Sequence, residues 1–142
     1  MIKKNMVVGF MLLSGLFASG AVAQIEPSVS PEGAMLYIVS PQHGAVVSSP
    51  VTVVFGLKGM GVAPAGIPMA NTGHHHLLIN GQQMLDLKQP LGTEVTHFGA
   101  GQTETTLTLV PGEYTLQLIL GDHMHIPHNP PVISEEITIT VQ

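Results

Sequence analysis

Glycine and proline interrupt this chain too often for long helices to form. Sixteen Gly and eleven Pro among 142 residues fall between short β-branched and leucine-rich runs, and no segment past residue 24 keeps a helical period. The runs alternate instead. Val51, Val53 and Phe55 share one face of a strand over 51–57, and Tyr114, Leu116, Leu118 and Leu120 share one face of another over 114–120. Leu107 and Leu109 alternate with Thr106 and Thr108 along 103–109. Further strands are expected over 35–39, 75–79, 83–87 and 132–141, with Asn80-Gly81 as a type I′ hairpin signal before the 83–87 return. Tyr114, just after Pro111-Gly112, is placed to serve as a tyrosine corner. About seven short strands predict an all-β fold, an immunoglobulin-like antiparallel β-sandwich over residues 34–142.

The opening residues read as an export signal. Lys3 and Lys4 precede an apolar run from Met6 to Phe17, and Ala21-Val22-Ala23 supplies small residues for cleavage after Ala23. Residues 1–23 are therefore expected to be a signal peptide and 24–33, with Pro27 and Pro31, a flexible lead. The expected location is periplasmic or secreted, with no membrane attachment after cleavage. Zero cysteines exclude a disulfide scaffold, a lipid-bearing cysteine and a His₂Cys copper site. Four basic residues against nine acidic ones, with no arginine, exclude nucleic acid as a partner.

Eight histidines are many for so short a chain. If consecutive strands run antiparallel, the loops 58–75, 88–102 and 121–131 meet at one end of the sandwich. Seven of the eight histidines lie in or beside those loops, and His43 lies at the other end. Neutral imidazole is the commonest protein ligand for transition metals, and a site needs several of them aimed at one centre. His74 and His76, two apart on an extended segment, project to the same side. His123 and His125 stand in the same relation. The candidate ligands are His74, His76, His97, His123, His125 and His128, with His75, Asp122 and Met124 as further candidates. His75 has an alternative reading as a core-edge histidine bonded to backbone, and Asp122 as a residue that orients a ligand. Met60, Met69 and Met124 also fall in these loops, and thioethers select copper(I). A copper ion is the expected cofactor, with zinc as the alternative.

Three motifs carry a family likeness. Gly73-His74-His75-His76-Leu77-Leu78-Ile79-Asn80-Gly81 is followed by His97-Phe98-Gly99-Ala100-Gly101-Gln102-Thr103-Glu104-Thr105. The third is Leu118-Ile119-Leu120-Gly121-Asp122-His123-Met124-His125-Ile126-Pro127-His128-Asn129-Pro130-Pro131. Together they resemble a bacterial exported family catalogued only as a domain of unknown function, over about residues 34–141. A looser likeness is to periplasmic copper-resistance proteins of the CopC type. Ser40-Pro41-Gln42-His43-Gly44-Ala45 with Pro50-Val51-Thr52-Val53-Val54-Phe55 resembles their opening, and Pro111-Gly112-Glu113-Tyr114-Thr115-Leu116 resembles their late strand. Asp122-His123 is similar to their metal-binding Asp-His region. Those proteins often begin with a ligand histidine, whereas cleavage here leaves Gln24, so the likeness implies no amino-terminal copper brace.

These features point first to an exported metal-binding carrier or buffer of the cell envelope, whose partners are a metal ion and another envelope protein. A redox enzyme of the copper or copper–zinc type is one alternative, and a metal-free envelope interaction module is another. Enzymatic turnover would need an open coordination position and a shaped substrate pocket. The sequence displays neither.

Overall fold

The computed structural model describes residues 26–81 and 85–142. The expected signal peptide lies outside them. The described strands are β1 (Met35–Ser40), β2 (Val46–Val47), β3 (Val51–Lys58), β4 (Gly61–Val62), β5 (Thr72–Ile79), β6 (Thr96–His97), β7 (Glu104–Leu107), β8 (Gly112–Gly121) and β9 (Ile137–Val141). No helix occurs among the described residues. The chain is all-β, as its alternating pattern requires.

Two sheets divide the strands. One has the order β1-β3-β7, and the larger has the order β2-β9-β8-β5-β4, with β6 added beside β5. The long pairings are antiparallel: β1 with β3, β3 with β7, β5 with β8, and β8 with β9. Two short edge ladders, β2 with β9 and β4 with β5, are parallel.

Between the sheets lies one apolar core. Val51, Val53 and Phe55 from β3 meet Leu77 from β5 and Leu116, Leu118 and Leu120 from β8. The period of two places alternate residues on opposite faces, so β5 turns His75 and Leu77 inward while His74, His76 and Leu78 face out. That outer face is also covered. Leu78 and Ile119 pack with Leu91 and Val95 from the 85–95 segment in a second, smaller apolar cluster. The Tyr114 hydroxyl donates to the Val110 carbonyl at 2.9 Å, which is the tyrosine-corner contact anticipated from its position.

The sequence pattern misleads at Asn80-Gly81. Asn80 does adopt a positive φ, 51°, but β5 takes β8 as its long antiparallel partner rather than an 83–87 return. Residues 83 and 84 lie outside the described set, and 85–87 form no strand. The Asn80 side chain accepts from Thr115 N–H at 2.9 Å and its own N–H donates to the Thr115 carbonyl. Those bonds tie the end of β5 across to β8, and the chain leaves to cover the outer face.

The lead segment carries bonds to the late loop of the fold. Val29 bridges Asn129, and the Ser30 hydroxyl donates to the Pro130 carbonyl at 2.7 Å. The Ser28 hydroxyl donates to Asp122 Oδ2 at 2.7 Å. From Ser28 onward the lead is thus bonded to the 121–131 segment.

Candidate metal centre

Four histidines from three segments converge on the outer face of the larger sheet. Strand β5 supplies His74 and His76, which are 0% and 1% exposed. Strand β6 supplies His97, whose register pairs it directly with His76. The turn after β8 supplies His125. One ring nitrogen from each of the four lies within 4.8 Å of the others, and Nε2 of His97 is 3.1 Å from Nε2 of His125. His74 and His76 form the buried floor, His125 is half-buried, and His97 is exposed.

Local chemistry fixes each ring. His74 and His76 are held by the β5–β8 ladder, opposite Gly121 and Ile119. His97 is carried by the short β6 bridge, which Phe98 anchors by donating its N–H to the His75 carbonyl and packing its ring 4.9 Å from Phe55. His125 has a φ of 67°, a left-handed backbone that ordinary residues adopt at a cost of about 1 kcal/mol or more. The Asp122 carboxylate holds that turn. Its Oδ1 accepts from Met124 N–H at 2.9 Å and from Ile126 N–H at 3.1 Å. Burial opposes ionisation of Asp122, but the bonds from Ser28, Met124 and Ile126 outweigh it and hold the carboxyl below its usual range.

The rings are poised as neutral ligands. Burial first, then repulsion from His125 and His97, lowers His74 from 6.5 to about 4, against a small opposing pull from Asp122. Burial, followed by His74, His97 and His125, lowers His76 to about 3. Burial and the adjacent His125 lower His97 as well. At neutral pH no proton has to leave His74, His76 or His97 before an ion can bind.

Both ring nitrogens of His74 and both of His76 are buried and make no hydrogen bond among the described residues. Buried polar atoms are almost always paired. A cation facing His97 and His125 as well would take one lone pair from each ring and so partner one of the two nitrogens in each.

The remaining candidates take other places. The structure sets His75, His123, His128 and Asp122 outside the four-histidine group. His75 lies in the core, 5.0 Å from the Phe55 ring, with Nδ1 3.1 Å from the Gln102 carbonyl. His128 is buried with Nε2 3.1 Å from the Thr72 carbonyl and Nδ1 3.4 Å from that of Leu120. His123 lines an open cleft beside Ser28, Met69 and Thr72. Asp122 gives Oδ1 to the turn and Oδ2 to the Ser28 hydroxyl, and Met124 is 41% exposed. His43 accepts from Thr138 N–H on the far side of the fold. The sequence pattern missed the space-making role of Gly121 and Gly99. A Cβ on Gly121 would come 2.6 Å from His76 Cε1, and one on Gly99 would come 2.3 Å from His97 Cε1. A glycine at the end of an apolar strand is the signal that marks such a close approach.

A family model described as Domain of unknown function (DUF4399) matches residues 53–142. The chain belongs to this family. All four clustered histidines, Asp122 and both ring-facing glycines lie inside the matched DUF4399 span, whereas β1 and the lead precede it. No curated protein and no solved structure matches the chain.

Proposed function

We propose that this DUF4399 protein is an exported transition-metal carrier or buffer that holds one ion between His74, His76, His97 and His125. The observation that supports it most strongly is the pair of buried histidines whose ring nitrogens have no hydrogen-bond partner among the described residues. An all-imidazole donor set suits copper or zinc. Copper is favoured by the likeness of the 40–55 and 111–116 segments to copper-resistance proteins. Zinc is the alternative. The signal-like residues 1–23 support a periplasmic or secreted location. Two buried and two outer ligands favour a carrier over an enzyme, because catalytic sites keep one coordination position open for solvent or substrate. The test is calorimetric titration of the purified chain with copper and with zinc. One ion per chain, with loss of binding in His74→Ala, is the expected result. Wild-type protein that takes up neither ion overturns the reading.

A further inference from the structure

The spacing of the four rings bears on which ion they accept, an inference that rests on the metal-carrier reading. Ring centroids are 4.6 Å apart for His74–His76 and for His97–His125. They are 4.9 Å apart for His74–His97 and for His74–His125. The last two separations are 5.2 Å for His76–His97 and 5.9 Å for His76–His125. Four rings set around an ion at the corners of a planar square would have both centroid diagonals longer than the sides by a factor of about 1.4. No pairing of these separations meets that condition. The best candidates for diagonals are His74–His97 and His76–His125, yet the first is no longer than the His74–His125 side. Four points with six similar separations enclose a tetrahedron.

Flattening the group is resisted by the fold. His74 and His76 sit on one face of a paired strand, and the His76 ring lies against the backbone of Gly121 with no room for a Cβ. His97 is fixed across from His76 by register. Zinc(II) and copper(I) have filled d shells and accept a tetrahedron at no ligand-field cost, whereas copper(II) and nickel(II) favour square or tetragonal fields. For a metal–nitrogen bond of roughly 2.0 Å, tetrahedral donors stand about 3.3 Å apart. The 3.1 Å between Nε2 of His97 and Nε2 of His125 falls between that spacing and the roughly 2.8 Å of adjacent donors in a square, so the preference rests on the ring separations.

We propose that the four histidines select a closed-shell ion, zinc(II) or copper(I), and hold it in a tetrahedral shell that leaves no position for solvent. Both ions offer the same chemistry to the ligands, and the experiment separates them. The full chain is loaded with cobalt(II) and its visible spectrum is recorded. The expected result is the intense d–d absorption of tetrahedral cobalt, unchanged by azide and bleached by one equivalent of zinc(II) or, without oxygen, of copper(I). The ion that bleaches it at the lower free concentration is the preferred occupant. His97→Ala opens a position, so cobalt in that variant should respond to azide. A weak octahedral spectrum, or an azide response in the wild type, overturns the closed tetrahedron while leaving a metal carrier standing. Failure to take up cobalt, zinc or copper overturns the carrier reading and this inference together.

Discussion

Each histidine near the centre has a different environment, and that difference decides what its loss should do. His76 is buried among the other three rings, and neither of its nitrogens has a hydrogen-bond partner among the described residues. His76→Ala is expected to weaken ion binding by about a hundredfold or more, because it removes a ligand from the buried floor. His128 is as well buried but points at two backbone carbonyls. His128→Ala should leave ion affinity within about threefold and lower stability by about 1–3 kcal/mol, the cost of stranding buried acceptors. Titration calorimetry and thermal melts on the two variants check this contrast. Equal loss of affinity in both would place His128 in the coordination shell. The sequence could not separate these residues, since spacing shows which segments meet and not which nitrogens are already bonded to backbone. His123 illustrates the limit: it is two residues from His125, as His74 is from His76. The 122–126 segment is a turn rather than a strand, so the same spacing does not bring the two rings to one side.

Strands β5 and β8 make the site by lying side by side, and the glycines between them set its dimensions. Gly121 lies opposite His74, where an added Cβ would press on the His76 ring 2.6 Å away. Gly73 is different. A Cβ there would meet the Gly121 carbonyl oxygen at 2.7 Å, and a backbone atom cannot swing aside. Gly121→Ala is therefore expected to keep the fold and reduce ion affinity at least about tenfold by displacing one ligand. Gly73→Ala should instead destabilise the whole domain by about 1–3 kcal/mol through overpacking. Denaturant unfolding alongside ion titration distinguishes them, and an unaltered affinity in Gly121→Ala would remove the claim that this glycine shapes the site. The strands themselves were legible because Val51, Val53 and Phe55, and likewise Leu116, Leu118 and Leu120, alternate cleanly and are buried as expected. The 83–87 return was not legible. Asn80-Gly81 carries hairpin chemistry, but Leu78, Leu91 and Val95 gain more by burying the outer face of the larger sheet. Local turn preference yields to that packing. The same covering segment brings β6 and His97 down beside His76, so the error at Asn80 and the closure of the site have one cause.

At the scale of the whole molecule, the buried imidazoles couple folding to acid. The pKa of His74 falls from 6.5 to about 4 on folding, and that of His76 to about 3. Below pH 6.5 the unfolded chain takes up protons that the folded chain refuses, so the unfolded state binds more protons and stability falls as pH falls. The window runs from pH 6.5 down to about 4 for His74 and about 3 for His76. Allowing for solvent at the His97 side, the combined loss is on the order of 4 kcal/mol. A bound ion occupies the lone pairs that protons would seek. At a free concentration 100 times its dissociation constant it adds about 2.7 kcal/mol, which should move the acid transition to lower pH. Circular dichroism followed from pH 7 to pH 3, with and without zinc, measures both effects. The deciding variant is His74→Leu combined with His76→Leu, which keeps apolar bulk and removes the titrating nitrogens. Its acid transition should be shifted down without any ion and should no longer respond to zinc. If the double variant unfolds at the same pH as the wild type, the acid sensitivity arises elsewhere, with the Asp122 carboxylate and its bonds to Ser28, Met124 and Ile126 the first place to look.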